Sequence, residues 1–139
     1  MPYVTMIAKM ILLIAGIGVG SYAQGVGAYY HEVSLRDVCQ RRVENGWFPQ
    51  GNELVCTHPC LAAAMTPDPS RLGEYWLVDL PGGSLHVCHV VDVAQEAHLE
   101  ALLERGEVIE IDGDTAAECG WTGFTPGVKV WRLDAQLAE

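Results

Sequence analysis

Basic residues are scarce in this 139-residue chain, which has 8 Lys and Arg against 18 Asp and Glu and a formal net charge of −10. Nucleic-acid binding needs clustered cations that neutralise phosphates, and the sequence has no such cluster, so no nucleic acid is expected as a partner. Electrostatic docking on anionic lipid is disfavoured for the same reason. Glycan strands with few carboxylates fit this charge balance better.

Internal repeats, low-complexity linkers and cofactor motifs are also absent from the sequence. The length suits one domain with a targeting segment and leaves little room for a second core. Half of the residues are apolar, which predicts a packed interior rather than disorder. We therefore expect a single folded domain with no cofactor and no metal.

The main hydrophobic segment lies near the N-terminus. Lys9 precedes the apolar residues 10–19, and a small-x-small site ends at Ala23, which predicts a signal peptide over residues 1–23. The alternative is a retained membrane anchor, because the uncharged stretch after Lys9 is long enough to span a bilayer. No cysteine lies near the cleavage site, so lipid attachment there is excluded. In either case residues 24–139 are expected to be exported, to the periplasm or outside the cell.

The cysteines all lie beyond this segment. An oxidising compartment favours one or two disulfides, and the odd number leaves one thiol over. Zinc is a weaker alternative, because no Cys-x-x-Cys spacing is present. A catalytic pair of Cys88 with a histidine has no hydrolase motif around it. The five are Cys39, Cys56, Cys60, Cys88 and Cys119.

Short strands and turns dominate the pattern beyond the N-terminal segment. Residues 75–80 and 85–91 flank Pro81-Gly82-Gly83 and predict a hairpin. Residues 95–105, followed by Gly106, predict a short amphipathic helix with a glycine cap. Strands with small inserted helices are more typical of a β-barrel than of a sandwich. Further strands are expected at 26–31, 107–111 and 127–133, a short helix at 114–119, and a long excursion with one helical turn at 34–59.

Six short motifs follow one another between residues 25 and 133. They are Gly25-Val26-Gly27-Ala28-Tyr29-Tyr30, Gly51-Asn52-Glu53, Leu61-Ala62-Ala63-Ala64, Leu72-Gly73, the strand 87–92, and 108–120 with its Val-Ile-Glu-Ile and Thr-Ala-Ala. In this order they resemble the rare lipoprotein A (RlpA)-like family, which is related to expansins, barwin and three-aspartate lytic transglycosylase domains. The resemblance implies a mainly β fold, a small six-stranded double-psi β-barrel with short inserted helices. It also implies lytic transglycosylase activity on peptidoglycan or binding to glycan strands.

Asp92 is the first candidate for catalysis. Cleavage of a glycosidic bond needs a carboxylic acid that protonates the leaving oxygen. In a lytic transglycosylase a sugar hydroxyl attacks internally, so one carboxyl can serve as acid and then as base. Asp92 ends an apolar strand and its position matches the family's catalytic Asp; an Asp that caps the next turn is the structural alternative. Glu53 is the second catalytic candidate by the same resemblance, and a solvated loop Glu is its structural alternative.

Aromatic residues and one histidine are candidates for substrate binding. Trp47 and Phe48 lie in a Gly- and Pro-bearing loop, where an exposed platform could stack on sugar rings, whereas core positions are expected for Trp76 and Trp131. Strand alternation places His86 and His89 on opposite faces, so only one of them can point into a groove.

Two further groove positions differ from the family. Met65 stands where the family has a histidine, and Glu110 stands where it has an aspartate. Val93 follows Asp92, so the arginine expected after the catalytic Asp is missing. These departures leave open a second function, a non-catalytic module that binds glycan or serves in an envelope or extracellular assembly. Contact with a membrane is expected only if the N-terminal segment is retained.

Overall fold

The computed structural model describes residues 19–30, 34–49, 51–118 and 124–133. These parts of the chain are mainly β, with six strands, three short α-helices and single 3₁₀ turns at Pro69–Arg71 and Glu96–His98. The strands are β1 (Val19–Tyr30), β2 (Leu61–Ala64), β3 (Tyr75–Asp79), β4 (Leu85–Val93), β5 (Glu107–Asp112) and β6 (Thr125–Leu133), and the helices are α1 (Leu35–Glu44), α2 (Leu99–Arg105) and α3 (Gly113–Glu118).

The six strands close into a barrel in the order β1-β5-β2-β4-β3-β6. The pairs β1–β5 and β2–β4 are parallel, and the other four pairs are antiparallel. Advancing every strand number by three turns this ring into itself and exchanges the two parallel pairs. The predicted small six-stranded barrel with short inserted helices is therefore confirmed, and its two interlocked halves have the double-psi arrangement.

The barrel interior is apolar and is filled by alternate residues of the strands. Ile109 and Ile111 of β5 lie in this core, whereas Glu110 between them points outward. Every residue of β2 is buried, because this strand is covered on both faces. Ala62 and Ala64 face the interior, and Leu61 packs outside the barrel beneath α1. The outer face of β2 therefore lies beside helix α1.

Helix α1 replaces most of what was expected to be an irregular excursion. Ser34 caps its N-terminus by accepting a hydrogen bond from the amide of Arg36 at 3.2 Å. Leu35, Val38 and Cys39 form its buried face. The expectation of one helical turn was wrong. Only three residues of this helix are buried against β2 and β4, and they are spread over a polar sequence, so the sequence shows little apolar periodicity there.

The remaining predicted elements are found close to their expected places. The hairpin β3–β4 turns at residues 80–84, and α2 ends at Gly106, which adopts the left-handed conformation with φ 66°. The Gly106 carbonyl accepts a hydrogen bond from the Val26 amide at 2.8 Å. This cap therefore fixes where β5 begins beside β1. Trp76 and Trp131 are buried, as expected.

Two disulfides join four of the five cysteines, Cys39 with Cys56 and Cys60 with Cys88. Such bonds indicate that the domain folds in an oxidising compartment. In this state the sulfur atoms of Cys56, Cys60 and Cys88 are bonded in disulfides and provide no thiolate. They therefore cannot bind zinc, and Cys88 cannot form a catalytic pair with a histidine. The fifth cysteine, Cys119, lies outside the described residues.

Strand β1 starts earlier than expected. The sequence places the first strand at residue 26 and the signal-peptide boundary after Ala23, whereas β1 begins at Val19 and Ala23 pairs with Val130 of β6. Residues 1–18 of the predicted segment 1–23 lie outside the described residues, so the signal peptide, the anchor alternative and the domain boundary stay predictions. Across the described ranges, no helix combines the length and the apolar character that crossing a membrane requires.

Candidate active site

A cavity of about 370 Å³ lies on the outer face of β2, between the C-terminal end of α1 and helix α2. This volume is in the range of small-ligand pockets. Its floor is Ala63, whose backbone pairs with Asp92 of β4 on one side and with Glu110 of β5 on the other. Its lining comprises Arg42, Ala63, Met65, Asp92, Val93, Ala94, Gln95, Ala97, His98, Ala101, Leu102, Arg105 and Glu110.

Two acidic residues thus face each other across one strand. Both Asp92 and Glu110 pair with Ala63, so their Cα atoms are two strand spacings apart, about 10 Å. A β-bulge makes this arrangement. Ala62 pairs with Val90 and Ala63 with Asp92, so Val91 is an extra residue. Without it, alternation would turn Asp92 into the barrel core beside Val90.

Asp92 is buried and ion-paired. Its Oδ1 accepts a hydrogen bond from Nη2 of Arg42 at 2.7 Å, a short charge-assisted contact. Arg42 comes from the last turn of α1, and its guanidinium lies 4.5 Å from the ring centroid of Trp47. The arginine that the sequence lacks directly after Asp92 is thus supplied from α1, fifty residues earlier in the chain.

Glu110 has a strongly perturbed carboxyl. Burial is the largest cause, and the neighbouring Glu107 carboxylate adds to it; together they raise the pKa of Glu110 to about 7. Asp92 also raises this pKa, whereas Arg105 lowers it. At neutral pH a substantial fraction of Glu110 is therefore protonated and can donate a proton, and the ionised fraction can accept one.

Helix α2 and the 3₁₀ turn before it form the far wall of the cavity. Ala97 and Ala101 leave open space there, and His98 and Arg105 bring polar atoms to its edge. Met65 lines the cavity at the end of β2, at the position where the sequence resemblance expects a histidine. The site therefore has carboxyl and guanidinium groups from four elements, α1, β4, α2 and β5, and a thioether in place of the imidazole.

Four sequence-predicted residues lie apart from this cavity. Trp47 and Phe48 are exposed, at 49% and 39%, and of these Trp47 borders the site through its contact with Arg42. Glu53 is exposed in the loop before the buried Leu54 and does not line the cavity. His86 is partly exposed at the hairpin end of β4, paired with Val78, and does not line it either.

His89 is the buried member of the histidine pair. It is fully buried, its ring lies 4.4 Å from that of Tyr75, and Nε2 accepts a hydrogen bond from the Val55 amide at 2.9 Å. Burial, with a smaller effect of His58, lowers the pKa of His89 to about 4. His89 is therefore a neutral core residue that holds the loop of residues 51–60 on the barrel.

Three charged residues of the site were missed by the sequence interpretation. Arg42 was hidden in a segment expected to be irregular, although an Asp at the end of an apolar strand indicates that a cation should be sought. Arg105 and Glu107 were assigned only to a helix and a strand. A β-bulge at Val108, between the pairs Val26–Glu107 and Gly27–Ile109, brings Glu107 to the outer face of β5, and no sequence signal locates that bulge. No cluster of three or more candidate metal ligands is found among the residues that the structure describes.

Comparison with known proteins finds similarity among solved structures only. No protein-family model and no curated protein matches the chain. Among solved structures it is similar to the Streptomyces papain inhibitor (SPI), at 18% sequence identity and a TM-score of 0.45, over 83% of this chain and 96% of that chain.

Proposed function

We propose that this protein is an exported, cell-wall-directed lytic transglycosylase of the RlpA-like kind, which cleaves peptidoglycan glycan strands in the cavity over Ala63. The observation that carries the proposal is the pair of carboxyls, Asp92 and Glu110, on either side of that floor residue. Glu110 is the proton donor and acceptor, and Asp92 is a fixed negative charge. The sequence interpretation made Asp92 the general acid and base, whereas here Glu110 has that role.

The two carboxyls differ in their partners, and this difference assigns their roles. Asp92 accepts a hydrogen bond from the guanidinium of Arg42, so this carboxyl already has a cationic partner. Glu110 has its pKa raised to about 7 by burial and by Glu107, which suits a group that gives and takes a proton near neutral pH. Enzymes that cleave glycosides commonly use two carboxyls, one that is charged and one that is partly protonated.

The reaction follows from these roles. Protonated Glu110 donates its proton to the glycosidic oxygen, and the bond from that oxygen to the anomeric carbon breaks. Positive charge develops at the anomeric carbon and is stabilised by the Asp92 carboxylate. A hydroxyl of the same sugar attacks this carbon and its proton passes to Glu110, so the enzyme returns to its starting state and an anhydro-sugar end is formed.

The class of substrate is supported by three independent features. The net charge of −10 with 8 basic residues disfavours polyanionic partners. The two disulfides agree with an exported protein. Trp47 presents an exposed indole beside Arg42 at the edge of the cavity, and such rings stack on sugars. The ordered motifs that resemble the RlpA-like family point to peptidoglycan among the glycans.

The test is digestion of purified peptidoglycan by the disulfide-bonded protein, with anhydro-sugar ends read by mass spectrometry. Glu110→Gln is expected to lower the rate about 10²- to 10⁴-fold, the usual contribution of a general acid–base group. Asp92→Asn should also reduce it, and Glu104→Gln, an exposed Glu on α2, should not. Cleavage that persists at the parent rate in Glu110→Gln would remove Glu110 from the mechanism.

Met65 favours one second candidate function, a non-catalytic glycan-binding or structural module of an envelope or extracellular assembly. A thioether at the position of the family's histidine cannot transfer a proton, although it lines the same cavity. In that case no variant and no parent protein would release anhydro ends, and the parent would still sediment with glycan strands. Absence of both cleavage and sedimentation would refute both functions.

A further inference from the structure

Glu107, at the start of β5, has no role in the proposed reaction as described above. Its side chain is completely shielded from solvent. Val26 pairs with Glu107 and Gly27 with Ile109, so Val108 is an extra residue that forms a β-bulge. Residues three apart on a regular strand lie on opposite faces, and this bulge instead turns Glu107 to the outer face that carries Glu110.

The two oxygens of Glu107 have different surroundings. Oε2 is held by Arg105, whose Nε and Nη2 lie 2.9 and 2.8 Å away. Oε1 is buried and receives no hydrogen bond from any residue that the structure describes. A buried acceptor of this kind costs free energy unless a donor reaches it. An ionised Glu110 cannot be that donor, whereas a protonated Glu110 can.

The charged groups around Glu110 come from helices α1 and α2, the 3₁₀ turn before α2, and strands β4 and β5. Arg105 lies at the end of α2 and His98 in the turn before it, and Asp92 with Arg42 lies across the floor. Strand β2 contributes no charge. Of these groups, Glu107 and Asp92 disfavour the ionised form of Glu110 and Arg105 favours it, and Glu107 has the largest effect after burial itself.

We propose that Glu107 is a positioning residue for Glu110: Arg105 holds Oε2 of Glu107 in place, and the other oxygen, Oε1, accepts the hydrogen bond that orients the acidic proton of Glu110. This inference deepens the proposed function and rests on it for its catalytic meaning. The carboxyl pair itself is a property of the fold and can be tested without substrate.

The pair gives the reaction cycle its return step. When Glu110 passes its proton to the leaving oxygen, it becomes a carboxylate beside the buried carboxylate of Glu107 and within the field of Asp92. This repulsion favours recovery of one proton, and the attacking sugar hydroxyl supplies it. Glu107 therefore acts on the reaction only through its contact with Glu110.

The test is a carbon-13 NMR titration of the glutamate side-chain carboxyls in the full, disulfide-bonded protein, with Glu110→Gln to assign the Glu110 signal. In Glu107→Gln the amide keeps a hydrogen bond to Arg105 but carries no charge, and the titration midpoint of Glu110 is expected to fall by about one pH unit or more. In Arg105→Gln the midpoint should rise. Glu104→Gln on the same helix is the matched control and should leave it unchanged.

Activity gives a second measurement that a merely structural role would not change. The alkaline limb of the cleavage profile should move to lower pH in Glu107→Gln by the same amount as the NMR midpoint. An unchanged Glu110 midpoint in folded Glu107→Gln overturns the proposal. If that variant fails to fold, an unchanged midpoint in Arg105→Gln overturns it. Shifted midpoints in a parent protein that cleaves no peptidoglycan would refute the proposed function and leave the carboxyl pair.

Discussion

Two glutamates of this barrel are packed among charged neighbours, and they show how a structural acid differs from a chemical one. Glu74 precedes β3, and donors fill its carboxylate: Trp76 Nε1 at 3.0 Å, Arg71 Nη1 at 3.1 Å, and Arg132 Nε and Nη2 at 3.0 and 2.6 Å. Glu110, by contrast, borders a cavity and faces the carboxylate of Glu107.

Burial raises the pKa of both side chains, so a raised pKa alone does not mark a site. For Glu74 the Trp76 hydrogen bond and the Arg71 charge oppose the effect of burial. For Glu110 the second cause, the Glu107 charge, adds to burial. The difference lies in the donors: a carboxylate fully supplied with them is fixed as an anion, whereas one that faces another carboxylate and open space can exchange a proton.

The largest effect that would test this comparison is expected from Glu74→Gln. The amide nitrogen would point donors at Arg71, Arg132 or Trp76, and both guanidinium groups would lose the Glu74 charge, although Arg71 would keep Asp68 at 3.6 Å. We expect a loss of about 3 to 4 kcal/mol in the free energy of unfolding, since breaking one side of a buried ion pair is costly. Urea unfolding followed by tryptophan fluorescence measures it.

The same substitution at an exposed position is the control for this prediction. Glu104→Gln should change the free energy of unfolding by less than about 0.5 kcal/mol. If Glu74→Gln were equally mild, the Glu74 cluster would be no more structural than a surface ion pair. The contrast with Glu110 would then fail.

The next effect is a pH dependence of stability that Glu110 contributes. Its pKa is raised from 4.5 in the unfolded chain to about 7 in the folded protein, so between these values the folded state holds the proton that the unfolded state has lost. Stability therefore falls as pH rises through this window. Glu110→Gln has no such titration. At about pH 8 its free energy of unfolding should therefore be about 2 kcal/mol higher than that of the parent.

The difference between Glu110→Gln and the parent isolates this one group. His89 acts in the opposite direction, because its pKa lowered to about 4 makes stability fall as pH drops below 6.5, but it is present in both proteins and cancels. Urea unfolding at several pH values should give a difference close to zero near pH 4 that grows towards pH 8. A difference that is constant with pH would show that Glu110 titrates normally.

The fold was predictable from local signals, and the site only in part. The Gly82–Gly83 turn, the Gly106 cap and the ordered motifs predict the hairpin, the end of α2 and the barrel. Asp92 and Glu110 could be selected from sequence because each is an acid within a strand-like motif.

The position of these side chains depends on pairing that no local pattern contains. The extra residues Val91 and Val108 shift the strand registers, and each reverses the face of a following or preceding acid. Arg42 reaches Asp92 only because α1 is pinned beside β4, with the Cys39–Cys56 disulfide at its buried face. Register and helix docking are tertiary properties, so the ion pair and the Glu107–Glu110 pair could not be predicted.

The smallest effect is expected at Trp47, beside Arg42, where a loss of glycan binding can be told apart from a loss of stability. Trp47 is half exposed and Arg42, over which it stacks, is also partly exposed, so Trp47→Ala should reduce the free energy of unfolding by less than about 1 kcal/mol. Stacking on a sugar ring would instead make glycan binding fall well beyond that loss. Sedimentation with glycan strands, with Leu103→Ala on α2 as the exposed apolar control, measures it. Equal binding by both variants would mean that Trp47 serves only to hold Arg42 against Asp92.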